Sequence, residues 1–345
     1  MTPIDGGIVM KTKHKIRLTS AEIGHLWQSY MLETLVYHVF LVFLNHVDDS
    51  QIKSYVEYCQ RSSQRHIQQV KAVFQAENFP IPRGMTSEDI RLKAPRVFSD
   101  VLYVNYIKNM AKYALIMYAT AYTECSRDDI RKLFRGFLST LEVIDQKGTE
   151  ILLSKGLHTR RPFIPTPTGV DFVDKQNFLN GFLGNKRPLS VMEMSQLFMN
   201  AQSNALGKAV LTGFSQVTSS KELRQYFERG KDLSNKYFQA FTDLLVKEDI
   251  SAPPSFDGEI TDSTESPFSD RLMLFHVSLL VSSGMSNYGV ALSASQRRDL
   301  ALMYGRVIAE VGTYAEAGAK LLIKNGWMEQ PPLAPDREAL AKVKI

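Results

Sequence analysis

The chain has 345 residues, 44% of them hydrophobic and 22% charged, with a formal net charge of +5. That length exceeds one ordinary core and suits two domains of roughly 100–200 residues each, and the composition excludes a disordered or collagen-like chain. The charge excess is mild and has no run of like charges and no aromatic-interleaved basic array, so nucleic acid is not an expected partner.

The most basic stretch, Lys11 to Arg17, reads as part of a solvated leader covering residues 1–17. From Thr19 to about His46, apolar spacings of three and four through Ile23, Trp27, Tyr30, Thr34, Tyr37, Leu41 and Leu44 predict one helix with a single core stripe. Thr19 followed by Glu22 predicts a capping box at its start. A second helix is expected from about Ser50 to Glu77, entered through Asp48 and burying Ile52, Tyr55, Val56, Cys59, Ser63, His66, Ile67, Val70 and Phe74. A proline-bearing connection, 78–97, follows, long enough to cross a bundle from end to end. The third helix starts at Phe98-Ser99-Asp100. The fourth starts at Ser126 with Asp129, carries Ile130, Phe134, Phe137, Leu141, Ile144, Gly148 and Ile151 inward, and stops at Gly156.

The order then repeats. Residues 18–82 pair with 189–253 at a shift of 171, with twelve identities; residues 98–156 pair with 268–326 at a shift of 170, with eleven. Ser190 and Glu193 repeat the first capping box, Ser219 and Glu222 the entry to the second helix, Phe268-Ser269-Asp270 the third opening and Gly326 the last stop. Shared helical periodicity alone would not keep short, long and short connections in the same order, so the chain is a duplication. The expected fold is all-α: two tandem ferritin-like four-helix bundles at 18–161 and 189–330, each with a long crossover between its second and third helices. Residues 162–188 hold Pro162, Pro165, Pro167, Phe172, Phe178 and Phe182, which predicts a non-helical linker lying on the bundles, and 331–345 form a tail.

The two helix openings, the two Phe-Ser-Asp starts and the linker run Phe178-Leu179-Asn180-Gly181-Phe182 leading into Arg187-Pro188-Leu189 carry a family likeness. Over residues 18–335 the chain resembles an uncharacterised family from spore-forming bacteria with two ferritin-like halves, related to spore-coat-type proteins. The resemblance implies a fold and an association with spores; it implies no reaction and no substrate.

A di-iron bundle needs a Glu from each of two helices and a Glu-x-x-His from each of the other two. The chain offers one such motif, Glu22 to His25, at a helix opening, and its repeat reads Glu193 to Gln196. A degenerate iron or manganese site in the first half would use Glu33, His66, Glu142 and Asp145; the competing reading is a core histidine hydrogen-bonded to a carboxylate. In the repeat Glu33 becomes Asn204 and His66 becomes Tyr237, polar without ligand chemistry. Cys59 and Cys125 cannot form a disulfide framework and read as reduced core thiols. There is no phosphate-cradling Gly-rich loop and no nucleophile elbow. Tyr103, Tyr106, Tyr113, Tyr118 and Tyr122 crowd the third helix and offer either core packing or a contact between the halves.

The expected function is therefore a noncatalytic structural or interaction protein without cofactor, with protein partners or self-association. A metal-dependent oxidase or metal-binding protein is the alternative. Apolar runs such as Val39 to Leu44 fall far short of the ~20 residues of a membrane helix, and the expected location is the cytoplasm, with the spore as the resemblance implies.

Overall fold

A computed structural model describes residues 16–182 and 186–342 of the chain. The basic leader stretch lies largely in residues 1–15, outside the described residues. The first half contains α1 (Ser20–His46), α2 (Ser50–Ala76), α3 (Asp100–Glu124) and α4 (Asp128–Ser154). The second contains α5 (Val191–Val217), α6 (Lys221–Val246), α7 (Asp270–Ala294) and α8 (Arg298–Lys324), and a short α9 (Arg337–Lys342) lies in the tail. No strand occurs among the described residues.

Local chemistry sets the helix ends. Thr19 and Ser190 close the capping boxes of α1 and α5 with Glu22 and Glu193, and the hydroxyls of Ser99 and Ser269 accept from the amides of Leu102 and Leu272. The caps of α2 and α6 are Asp49 and Ser220, one residue later than Asp48 and Ser219. Helix α4 has no side-chain cap of its own, because Ser126 lies before its N-cap, Arg127. At the far ends, Gly156 and Gly326 take φ of +69° and +67°. Their amides bond to Leu153 and Ile323, while the next amides, of Leu157 and Trp327, bond back to Leu152 and Leu322 at 2.8 Å, the Schellman pattern that only a left-handed residue closes.

End-to-end contacts fix the helix directions. The start of α1 meets the start of α4 through Glu22 and the Ser126 and Arg127 amides, and the end of α1 meets the approach to α3 through His46 and Ala94. Lys155, beyond α4, reaches Asp49 at the start of α2. Hence α1 and α4 run one way and α2 and α3 the other, and the second half repeats this, which obliges each long crossover to traverse the bundle.

Helices α2, α4, α6 and α8 each bury one stripe, and on α2 the buried set is the expected one with Ser62 added and Ile67 only half-buried. Helix α1 departs from its expected single stripe. Leu26, Leu35, Val39, Val42 and Phe43 are among its most enclosed apolar residues, and Met31 to Val36 are all buried, whereas Ile23, Trp27, Tyr37, Leu41 and Leu44 are only half-buried. A helix enclosed on nearly all sides loses its amphipathic signature, because no face is left for polar residues.

The halves are joined by their crossovers. Ile90 pairs with Phe268 and Phe98 with Ile260 as antiparallel bridges, and the 170-residue shift turns one pair into the other. The Arg91 amide donates to the Pro267 carbonyl (2.8 Å) and the Thr261 amide to Val97 (2.9 Å); Ser269 donates to Asp89 (2.8 Å) and Ser99 to Glu259 (3.0 Å). Side chains repeat the exchange, Ser269 Oγ on Asp89 (2.7 Å) and Ser99 Oγ on the Glu259 carboxylate. This is the reciprocal geometry of an isologous dimer interface, within one chain.

The linker corrects an expectation. Its first part does not lie on the bundles: Phe163 and Phe172 are 85% and 92% exposed, and 163–177 is exposed throughout. Prolines keep that part extended, and it finds no apolar surface to cover. Only its end is anchored, where the Arg187 guanidinium sits 4.1 Å over the Phe178 ring and bonds the Phe178 carbonyl. Relative placement of the bundles is set by the crossovers instead.

Candidate functional site

Midway along the first bundle, Glu33 from α1, His66 from α2 and Tyr118 from α3 meet in the core. All three are nearly inaccessible. His66 Nδ1 lies 2.8 Å from Glu33 Oε1, and the Tyr118 hydroxyl donates to the same oxygen at 2.6 Å. The His66 ring stacks on Phe137 with centroids 3.9 Å apart, which fixes its plane. A cavity of about 40 Å³ beside the pair is lined by Ser62, Ser63, Met110 and Leu141 among others, room for water and little more.

The other two residues of the expected metal set do not join them. Glu142 follows core residue Leu141 by one position and is exposed. Asp145 likewise follows Ile144, is half-buried, and accepts from Lys108 Nζ at 2.6 Å on the outside of the α3–α4 pair. A step of one residue turns a helix by ~100°, which carries both carboxylates off the inward face. Among the described residues no group of three or more His, Cys, Asp or Glu is placed to hold a metal ion. Nor does Glu22-x-x-His25 converge: Glu22 is buried in its cap, while His25 Nε2 meets Glu124 at 2.8 Å.

The second bundle keeps the position and changes the groups. Asn204 and Tyr288 exchange hydrogen bonds at 2.9 and 3.1 Å, and the Tyr237 hydroxyl donates to Glu310, which also binds Lys236. A cavity of about 70 Å³ there is lined by Asn200, Asn204, Ser234, Ser283 and Asn287, again suited to water. Tyr118 and Tyr288 are the same residue in the two copies; their partners are a carboxylate in one and an amide in the other.

A more closely repeated polar cluster lies at one end of each bundle, and only its capping part was expected. Glu22 Oε2 accepts from the Thr19 amide at 2.8 Å, and its Oε1 accepts from Ser126 and Arg127 at 2.9 and 2.8 Å, so the carboxylate of α1 caps α4 as well. Arg127 then binds Glu77 and Asp129, each at 2.7 Å. In the second half Glu193 caps α5 and α8, and Arg297 binds Glu248 at 2.7 Å and Asp299 at 2.9 Å. Arg187 adds a bidentate contact to Glu193 at 2.7 and 2.9 Å. Burial pushes the Glu193 carboxyl up, but Arg187 and the Ser190 and Arg297 amides outweigh it and hold the group at about 2. The sequence signal was available: Arg127, Asp129 and Glu77 are identical in both copies, and repeated charges outlast drift only where both copies need them.

Neither thiol is an activated nucleophile. Burial pushes Cys59 far above the ordinary thiol range, and burial with Glu22 and Glu124 nearby pushes Cys125 up to about 11. Of the five tyrosines on α3, Tyr106 reaches the other half, edge-on to His276 of α7.

One protein family, described as protein of unknown function (DUF3231), matches the chain twice, over residues 7–170 and 177–340. The chain belongs to this family. Each DUF3231 match contains one complete set of four helices, so the family unit and the structural repeat coincide. No curated protein matches this DUF3231 chain significantly. Among solved structures, a "putative spore coat protein" from Bacillus halodurans is similar over 45% of this chain and 98% of its own, with 18% identity and a TM-score of 0.38. No helix of the described residues is long and apolar enough to cross a membrane.

Proposed function

We propose that this protein is a noncatalytic structural or interaction protein, a single-chain pair of bundles held rigid by reciprocal crossovers. The observation that carries this reading is the clasp at Ile90–Phe268 and Phe98–Ile260, with its paired main-chain and side-chain bonds. The mid-bundle centres support it: Glu33 and Asn204 each bond the corresponding tyrosine, Tyr118 or Tyr288, and the Glu–His pair of one copy is exchanged for Asn and Tyr in the other. Neither centre leaves a reactive group facing a substrate-sized opening.

The test is the metal content of protein purified from cells grown with added iron and manganese, together with that of His66→Ala. Substoichiometric metal in both supports the reading. About one tightly held iron or manganese per chain, lost on His66→Ala, overturns it in favour of a metal protein. Spore association is part of the proposal through the family resemblance, and a tagged chain followed through sporulation tests it: label that stays outside the forming spore removes that part.

A further inference from the structure

A cleft between the two halves of about 530 Å³, within the range of small-molecule sites, is walled by α3, α4, the segment 158–161, α5 and Phe256 of the second crossover. Its polar side is cationic. Lys108 is neutralised by Asp145, but Lys112, Arg160 and Arg161 make no ion pair among the described residues, and Asp145 is the one carboxylate in the lining. Its apolar lining includes Leu115 and Met199, both half-buried, beside the enclosed Phe198 and Phe256.

The related place in the repeat is filled differently. Thr159 of the cleft corresponds to Glu329, and the Glu329 carboxylate is bound by the Arg83 and Gly84 amides at 2.7 and 2.9 Å and by Arg271 at 3.3 Å. On that side the chain supplies its own anion. On the side of Thr159 it supplies none, and the positive groups face an open space.

We propose that the cleft between the halves binds a small organic anion, a carboxylate or phosphate ester with an apolar body, its head held by Lys112, Arg160 and Arg161 and its body against Leu115 and Met199. The head needs cations that are not already paired, and these three are. The body needs apolar wall that is still accessible, and Leu115 and Met199 are only half-buried where they line the cleft. Burial, with Arg161 close by, pushes the Lys112 ammonium down to about 8, the response of a cation held among like charges without a counterion. Burial and then the charges of Lys108, Arg160 and Arg161 push His158 below the ordinary histidine range, so it adds a neutral ring to the wall at neutral pH.

The probe is 1-anilinonaphthalene-8-sulfonate, titrated by fluorescence into the full chain at low salt. One site per chain is expected, weakened at least tenfold by Lys112→Met and by the double variant Arg160→Ala/Arg161→Ala. Both arginines of the double variant are exposed, so its fold is not at stake, and circular dichroism checks the Lys112 variant. Octanoate is expected to displace the dye where inorganic phosphate at equal concentration does not. Unchanged dye affinity in the arginine double variant overturns the proposal, as does an equal loss in Arg135→Ala, an exposed arginine away from the cleft. Displacement by phosphate and not by octanoate overturns the apolar half of it.

Discussion

His276 and Tyr106 face each other across the junction of the two halves, ring centroids 5.2 Å apart and planes at 70°, and each is the other's counterpart in the repeat. Both are fully enclosed. Neither ring nitrogen of His276 nor the Tyr106 hydroxyl has a hydrogen-bond partner among the described residues. Burial alone pushes His276 down to about 3, so the ring is neutral in the folded chain at any ordinary pH. In the unfolded chain it takes up a proton near pH 6.5.

Stability therefore depends on acid in a defined direction. Between about pH 6.5 and 3 the unfolded state binds the extra proton, so stability falls as pH falls, by up to about 1.4 kcal/mol per pH unit. Glu193 adds a second loss lower down: its folded value lies below its unfolded one, so its contribution is present above about 4.5 and disappears as pH falls through about 2. Urea titrations of His276→Phe should show higher stability at pH 7, by about 1–3 kcal/mol for removing unpaired buried groups, and a flatter profile between pH 6.5 and 4. An unchanged slope in that interval would contradict the assignment to His276.

At the mid-bundle centre, His66→Ala leaves Glu33 enclosed with Tyr118 as its remaining partner and should cost about 3 kcal/mol. The repeat suggests a replacement that works as a unit. Glu33→Asn combined with His66→Tyr copies Asn204 and Tyr237, which bond Tyr288 and Glu310 and not each other. Because each single change already breaks the Glu33–His66 bond, a double-mutant cycle should show the combination less damaging than the sum of its single changes by at least about 1 kcal/mol. Additive losses in denaturant melts would mean that the two centres are not interchangeable.

Tyr226 and Tyr314 stack with centroids 4.4 Å apart and planes at 4°, and their hydroxyls lie against Gly318 and Gly230, where a side chain would intrude. A Cβ at Gly318 would stand 2.3 Å from the Tyr226 hydroxyl, whereas one at Gly305 on the same helix meets nothing within 4 Å. Gly318→Ala should cost about 1–3 kcal/mol through overpacking; Gly305→Ala should be neutral or stabilise by up to about 1 kcal/mol through helix propensity. Thermal melts of the two variants make the comparison directly.

The clasp is symmetric in its backbone and unequal in its side chains. Asp89 binds Ser269 and also Arg271, the latter at 2.9 Å, both largely enclosed, while Val101 occupies the position corresponding to Arg271. Asp89→Ala should cost about 3 kcal/mol because it removes the nearer carboxylate of a buried guanidinium, leaving Arg271 the Gly84 carbonyl and Glu329, and Glu259→Ala about 1 kcal/mol for its hydrogen bond. Equal losses by chemical denaturation would show that Glu329 and the Gly84 carbonyl suffice for Arg271.

Much of the fold was legible because α2, α4, α6 and α8 keep a polar face, so Ile130, Phe134, Phe137 and their spacing show what is inside. Helix α1 and the third helices gave a weak pattern because they are enclosed on most sides. The candidate metal set erred at Glu142 and Asp145, which neighbour core residues Leu141 and Ile144 and were read one helical step too far inward. Glu33 and His66 were legible as a pair because both fall on buried faces of adjacent antiparallel helices. The clasp was not, since Ile90 and Phe268 lie 178 positions apart and only folding brings them together; the acidic character shared by Asp89 and Glu259 was its faint trace.

Joining both bundles on one polypeptide releases them from the identity that two separate copies of a gene product must share. In a homodimer any change at Thr159 would appear at Glu329 as well, and a carboxylate that filled one recess would fill both. Here one recess is stoppered by the chain's own tail and the other stays available, so a twofold frame comes to carry a single, one-sided opening.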